Sequence, residues 1–378
     1  MRQLSIAKLI ALCLLLFMGQ TEAESPPVPI LKAAGYILVD FASGNVIAES
    51  EADKRLEPAS LTKIMTAYVV FQKLKEDRLK MTDLAVISDR AYRMQGSRMF
   101  VELGKQVGIE DLLRGMIIQS GNDASVALAE QVAGSEEAFA HLMNEQAKRL
   151  GMSHTHFTNA TGMPDADHYT TARDISKVTA ALIRDYPEHY SFYSERSFFY
   201  NKIKQFNRNR LLWLDESVDG VKTGYTEAAG YCLVSSAKRE GSRLISVVLG
   251  TESKKARATE SKKLLDYGFN FFETHKLYSA GQTLTKSRVW MGDKAGIDIG
   301  TLGDLYITIP RGNYSKLKPQ LKINETLIAP ISKGQSLGEL HLMLEGKLLK
   351  TLPVVAMEDI EEGGFFSRLI DRLMLWME

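Results

Sequence analysis

Apolar runs of strand length stand at both ends of a long helical stretch in this chain, and segments so placed have few ways to cover one another. Gly35 to Val39 is one run; Ser43-Gly44-Asn45 supplies turn chemistry, and Val46-Ile47-Ala48 resumes the pattern, which predicts a β-hairpin. Far along the chain, Tyr231 to Ser236 and Arg243 to Leu249 flank a second turn, Arg239-Glu240-Gly241-Ser242. Between them, residues 61–75 put Leu61, Ile64, Met65, Tyr68 and Val69 on one helical face. The stretch from about 110 to 185 is also rich in helical pattern, apart from a loop from Asn159 to Tyr169. A further helix is expected over Lys254 to Phe272. Strands at both ends of a helical middle predict one antiparallel sheet with helices packed on it, an α+β layout.

From about residue 280 the character changes. Leu305-Ile307-Ile309, Leu321-Ile323 and Leu340-Leu342-Leu344 alternate with polar residues, and Gly and Asn punctuate them. Short strands with regular turn signals predict a small all-β domain. The start of the chain reads differently again. Arg2 and Lys8 precede a short apolar run, Leu9 to Met18, and Thr21-Glu22-Ala23 has small residues where a signal peptidase needs them. The expected division is a signal peptide over 1–23, a catalytic region over 24–275, a β-rich stalk over 276–360 and a terminal helix over 361–378. Cleavage leaves Cys232 as the one cysteine, so no internal disulfide is expected and the fold relies on its core. Cys232 lies in the apolar run Tyr231-Cys232-Leu233-Val234 and is expected to be a buried thiol. A formal net charge of +1 gives no sign of a nucleic-acid partner.

Three short motifs carry chemistry. In Ser60-Leu61-Thr62-Lys63 the serine and lysine are one helical turn apart and share a face. A serine hydroxyl is a weak nucleophile that needs a base beside it, and a lysine serves as one when burial or positive charge lowers its pKa. The same Ser-x-x-Lys spacing recurs at Ser5, Ser235 and Ser315, so spacing alone is weak; Ser60 stands out because it follows Pro58-Ala59 and leads an amphipathic helix. Ser120-Gly121-Asn122 joins two helical runs, where a tight corner would aim Ser120 and Asn122 into a cleft. The same tripeptide in the first hairpin is expected to be a plain turn. Lys222-Thr223-Gly224 sits on an expected edge strand, which can pair with an extended peptide. There Lys222 supplies positive field, Thr223 a hydroxyl for a terminal carboxylate and Gly224 room for close approach, while the Tyr225 and Ser60 N–H groups can form an oxyanion hole.

Each motif is weak alone, but the three follow one another about 60 and then about 100 residues apart in one exported chain. That ordered set belongs to class A β-lactamases and penicillin-binding proteins. With the flanking blocks Pro58 to Thr66, Ser120 to Ala124, Asn207-Arg208-Asn209, Val218 to Gly224 and Arg257, the sequence resembles the low-molecular-mass D-alanyl-D-alanine carboxypeptidases. These are the type-5 penicillin-binding proteins of serine peptidase family S11. The resemblance implies a β-lactamase/transpeptidase-like catalytic domain, in which Ser60 is acylated, Lys63 is its base and Ser120 takes part in proton transfer. It also implies that Asn122, Lys222, Thr223, Gly224, Tyr225, Arg208 and Arg257 line the substrate cleft. Close relatives often have His where this chain has Tyr225. The implied substrate is the peptidoglycan stem pentapeptide, with β-lactams as covalent inhibitors and no cofactor. His154, His156 and His168 lie in or near one loop, but no ligand spacing supports a metal, and serine chemistry needs none.

A D,D-endopeptidase of the same fold, a β-lactamase and a non-catalytic wall-binding protein are the competing readings. The added β domain argues against the first two, and the Ser60–Lys63 pair argues against the third. A homodimer stays compatible with the sequence. In the tail, Phe365, Phe366, Leu369, Ile370, Leu373, Trp376 and Met377 recur at helical spacing, with Ser367, Arg368, Asp371 and Arg372 opposite. Such a helix, roughly 24 Å long, is too short to span a bilayer and is expected to lie in the membrane interface, holding the enzyme on the outer face of the cytoplasmic membrane. Gly363-Gly364 before it is expected to act as a flexible hinge.

Overall fold

The computed structural model describes residues 27–377, so the expected signal peptide lies outside the described residues. The first hairpin forms as β1 (Gly35–Asp40) and β2 (Val46–Ser50). A short 3-10 turn at Ala59–Leu61 leads into α1 (Thr62–Lys75). The helical middle comprises α2 (Ile109–Ile118), α3 (Asn122–Ala133), α4 (Glu136–Arg149) and α5 (Ala172–Asp185), with shorter pieces between them. Strands return as β3 (Val218–Thr226), β4 (Gly230–Arg239) and β5 (Ser242–Thr251), and α6 (Lys254–Phe271) follows.

These strands make one antiparallel sheet in the order β2-β1-β5-β4-β3. Ile37 of β1 lies opposite Val247 of β5, so the two ends of the region meet in the middle of the sheet. Both faces are covered. Ile37, Val39, Ile245 and Val247 pack with Ile64 of α1 and with Leu112 and Val178 of the helical middle. Tyr36, Leu38, Leu244 and Val248 pack on the other side with Leu264 and Leu265 of α6. A strand covered on both faces reads as an unbroken apolar run, which is why β1 shows no polar alternation and every residue in it is buried. Cys232 is buried in β4, where burial pushes its thiol up to about 11. β3 is the outer strand, as expected for Lys222-Thr223-Gly224, and its free edge faces the helical middle's cleft.

The C-terminal region is all β. It contains β6 (Phe272–Tyr278), β7 (Thr283–Arg288), β8 (Gly296–Gly300), β9 (Leu305–Pro310), β10 (Leu317–Ile323), β11 (Ser336–Leu344) and β12 (Lys347–Ala356). Five strands pair in the order β7-β8-β12-β11-β10, and β6 pairs with β9. Ile307, Ile309, Leu340 and Leu342 join its separate core, whereas Leu321 is exposed because β10 is an edge strand. Ser43-Gly44-Asn45 is more than a turn here. Ser43 Oγ lies 2.6 Å from Thr308 Oγ1, Asn45 donates to the Thr308 carbonyl at 3.2 Å, and Lys350 donates to Asn45 Oδ1 at 2.9 Å. The hairpin tip is thus the joint between the two regions.

The tail forms α7 (Phe365–Met377), and none of its described residues is buried. Its polar side is tied down: Asp371 accepts from the Met291 N–H at 2.6 Å, and Arg368 pairs with Glu362. The hinge expectation is corrected at Gly363, which is buried and donates its N–H to the Met291 carbonyl at 2.8 Å. A Cβ there would lie 2.4 Å from the Gly292 carbonyl, so close packing rather than freedom explains this glycine. Among the described residues, no helix is long and apolar enough to cross a membrane.

Candidate active site

Ser60 sits in the 3-10 turn just ahead of α1 rather than as its first helical residue. Ala59 before it adopts φ +47°, which bends the chain so that the serine faces the cleft. Lys63 points back along the helix. Its Nζ donates to Ser60 Oγ at 3.1 Å, to Asn122 Oδ1 at 2.7 Å and to the Thr161 carbonyl at 2.5 Å. An ammonium has three donors, so all of them are engaged and the group is fixed. Lys63 is buried; that burial, and then the positive charge of Arg208, lower its pKa to about 7, with Asp123 and Glu136 pulling the other way. A lysine tuned to that value can take a proton from a hydroxyl at neutral pH.

The corner between α2 and α3 delivers the second motif. Ser120 is buried with φ +68°, and Asn122 opens α3. Asn122 Nδ2 donates to the Gln95 carbonyl at 2.7 Å, which leaves Oδ1 for Lys63. The neighbouring Asp123 accepts N–H bonds from Met99 and Phe100, each at 2.9 Å, and pins the segment that follows the cleft-lining Gly96 and Ser97.

β3 supplies the opposite wall. Lys222 is buried, and burial, then Lys63, Arg208 and Arg257, drive its pKa well below the ordinary lysine value. Thr223, Gly224 and Tyr225 line the cleft. A Cβ on Gly224 would lie 3.1 Å from the Pro58 carbonyl, so part of the room this glycine makes is taken up by the turn that carries Ser60. Arg257 reaches from α6 and donates to the Gly224 carbonyl at 3.1 Å; burial brings its pKa down to about 10. Asn207 donates to the Glu195 carbonyl at 3.0 Å and Asn209 to the Gly220 carbonyl at 2.9 Å, so Arg208 between them is held towards the cleft. The Tyr225 side chain is 53% exposed and lies 4.3 Å from the Tyr231 ring, between ring centroids.

The three motifs therefore converge on one cleft of about 720 Å³, with Lys63 and Lys222 buried beneath its lining. Ser60, Ser120, Asn122, Thr223, Gly224, Tyr225, Arg208 and Arg257 all line it. Arg210 and Lys254 line it too, and no Asp or Glu does among the described residues. A hydroxyl beside a neutralisable amine, in a basin of positive charge, suits acyl transfer from a substrate that carries a carboxylate.

Sequence reasoning missed the Thr161 carbonyl and the Asp123 carboxylate. A backbone carbonyl leaves no mark in a side-chain motif, whereas Asp123, adjoining Ser120-Gly121-Asn122, could have been suspected. It also missed Gly162, where a Cβ would lie 1.8 Å from the Ala59 carbonyl. His168 serves the local structure: its Nε2 lies 2.8 Å from Thr62 Oγ1, its Nδ1 takes the Thr158 N–H at 3.0 Å, and burial lowers its pKa to about 4. The described residues bring together no group of three or more His, Cys, Asp or Glu that could hold a metal ion.

A serine–lysine pair on an antiparallel sheet with a helical subdomain defines a serine acyl-transfer enzyme of the penicillin-binding class. Residues 20–253 match the family model described as Peptidase S11, D-alanyl-D-alanine carboxypeptidase. Residues 272–362 match that of the penicillin-binding protein 5 C-terminal domain. The chain belongs to the D-alanyl-D-alanine carboxypeptidase family. It is 46% identical over 367 residues to D-alanyl-D-alanine carboxypeptidase DacC of Escherichia coli, covering 95% of this chain and 91% of that protein. It is 45% identical over 358 residues to DacA of the same organism, covering 93% and 89%. The solved structure of penicillin binding protein 5 from Haemophilus influenzae superposes with a TM-score of 0.86 at 43% identity, covering 88% of this chain and 99% of that one.

Proposed function

We propose that this D-Ala-D-Ala carboxypeptidase works through an acyl-enzyme on Ser60. The observation that carries the proposal is the 3.1 Å contact between Ser60 Oγ and a Lys63 amine whose pKa lies at about 7. Neutral Lys63 takes the Ser60 proton as Oγ attacks the carbonyl of the penultimate D-Ala. The resulting oxyanion lies between the Ser60 and Tyr225 N–H groups. As the C–N bond breaks, the proton taken by Lys63 passes through the Ser120 hydroxyl to the leaving amine, so that Ser120 gains one proton as it gives one, and free D-Ala departs with Lys63 neutral again. Water then attacks the ester, giving one proton to Lys63, which passes it to the departing Ser60 Oγ as the shortened peptide is released.

Binding follows from the same walls. The free edge of β3 pairs with the extended peptide, and Asn122 holds a substrate amide. Thr223, Arg208 and Arg257 receive the terminal carboxylate, and Lys222 adds positive field. A β-lactam acylates Ser60 by the same attack on its ring amide. The test is incubation with a pentapeptide ending in D-Ala-D-Ala, with assay of free D-Ala, and mass-spectrometric mapping of the site labelled by penicillin. Release of D-Ala together with adduct at Ser60 is expected; an adduct elsewhere overturns the assignment.

The cellular setting is proposed with it. The signal peptide over 1–23 directs export, residues 24–275 form the catalytic domain, and 276–360 act as a stalk. α7 lies in the interface of the cytoplasmic membrane's outer leaflet. What supports this is that Phe365, Phe366, Leu373 and Trp376 are all exposed, Trp376 to 85%, while the polar side of the helix is held to the β domain.

A further inference from the structure

Lys63 is held by two acceptors besides Ser60, and one of them, the Thr161 carbonyl, belongs to a loop with an unusual support. Asn159 Oδ1 accepts four bonds from that loop: the N–H groups of Thr161 at 3.1 Å, Gly162 at 2.7 Å and Met163 at 3.2 Å, and the Thr161 hydroxyl at 2.9 Å. Asn159 Nδ2 closes the ring by donating to the Met163 carbonyl at 3.0 Å. One side chain therefore organises the backbone of 161–163. With the N–H groups of that turn gathered on Asn159, the Thr161 carbonyl is turned towards Lys63 Nζ. Gly162 is pressed against the Ala59 carbonyl in the turn that carries Ser60, so the loop bonds Lys63 and also packs against the residue before Ser60.

We propose that Asn159 is a positioning residue for the acylation step: it holds the Thr161 carbonyl on Lys63 and keeps water from entering beside that amine. This rests on the reading of Lys63 as the base for Ser60. Among the described residues Asn159 makes no hydrogen bond to a side chain of the three motifs; it bonds Thr158, Thr161, Gly162 and Met163, and its effect runs through the backbone of Thr161. The charged or titratable groups that act on Lys63 are Arg208, Asp123 and Glu136, together with Lys222 and His168. Of these, Glu136 also bonds this loop, accepting the Ala160 N–H at 3.0 Å. Burial is the largest cause of the lysine's lowered pKa, so loosening the loop lets water in and moves it upward.

The experiment is the rate of penicillin acylation against pH for the full chain, compared with Asn159→Ala and Asn159→Asp, with thermal unfolding measured in parallel. The wild type is expected to lose rate as pH falls through about 7. Asn159→Ala is expected to acylate on the order of ten to a hundred times more slowly, with its acidic limb displaced to higher pH. Asn159→Asp keeps two acceptor oxygens for the loop but adds negative charge. Its limb also moves up, while its rate at high pH, where Lys63 is neutral, returns to within a few times the wild type. A folded Asn159→Ala protein with wild-type rate and limb overturns the proposal. So does an Asn159→Asp protein as slow as Asn159→Ala at high pH, because a merely structural role would not distinguish the two. A wild type with no acidic limb near 7 instead overturns the Lys63 base reading itself.

Discussion

The two halves of this molecule treat buried charge in opposite ways. The sheet-and-helix region buries Lys63, Lys222, Asp123, Glu136, Arg243 and Arg257, among others. The C-terminal β region buries only Thr301, Thr308 and Asn313 among its described polar residues, and no charged one. Burying a charge is costly unless it is paired and hydrogen-bonded. Asp123 and Glu136 meet that condition with backbone N–H groups, and Arg243 with Asp219 at 2.6 Å. Lys222 does not: it donates to the adjacent Thr223 carbonyl at 3.3 Å, and the positive charges of Lys63, Arg208 and Arg257 act on it. Such strongly shifted groups mark functional sites. The contrast places the candidate site in one half and fits the holding role proposed for the other, whose own exposed feature is an amphipathic helix.

The strongest way to break the contrast is Ser60→Ala. Penicillin labelling and D-Ala release should both vanish while the melting temperature stays near wild type; stoichiometric labelling of the variant would place the nucleophile elsewhere. Next is Lys63→Arg, which keeps charge but cannot deprotonate. Acylation at neutral pH should drop on the order of 10² to 10⁴-fold, the range for losing a general base. The sign of the pH effect in the wild type follows from the same residue. The neutral amine is the active form, so the rate rises with pH through about 7 and falls below it. A pH-rate profile flat between 5 and 9 would contradict this.

A smaller effect is expected from Thr223→Val. It removes one hydroxyl intended for a carboxylate, a loss of roughly 1.5–3 kcal/mol, or about ten- to a hundredfold in kcat/KM for the peptide. Unchanged kcat/KM would make Thr223 structural. The smallest effect on catalysis comes from the other half. Deleting 363–378 should leave kcat/KM on small soluble peptides unchanged and move the enzyme from the membrane fraction to the soluble one. Continued sedimentation with membranes would remove the anchor reading and leave α7 as a helix packed on the β domain.

Much of the fold was legible because periodicity is local. The run Gly35 to Val39, the helix after Ser60 and the helix from Lys254 all form close to their expected limits. The tail was legible as an amphipathic helix, but Gly363 misled: a glycine signals either freedom or close approach, and the contact with Gly292 that decides between them is distant in sequence. Ser43-Gly44-Asn45 misled in the same way. It reads as a turn and is one, yet its side chains also join the two regions through Thr308 and Lys350.

By itself the sequence determined which residues could react: it supplied a serine and a lysine at helical spacing, a second serine with an asparagine, and an edge strand with Lys222-Thr223-Gly224. Spacing alone could not separate Ser60 from Ser235, which lies buried in β4, because spacing fixes only what is one turn away; the Pro58-Ala59 before Ser60 and the amphipathic helix after it did. Only the tertiary structure decided that Lys63 is a buried amine with a lowered pKa, fit to serve as a base, rather than a surface cation. A lysine's ordinary pKa is set by water; here the chain folded over it withdraws that water and sets Arg208 nearby, and the amine is held by Asn122 from α3 and by the Thr161 carbonyl. Those groups lie far from Lys63 along the chain, so their combined effect exists only once the loop, the corner and the sheet edge have closed on one another.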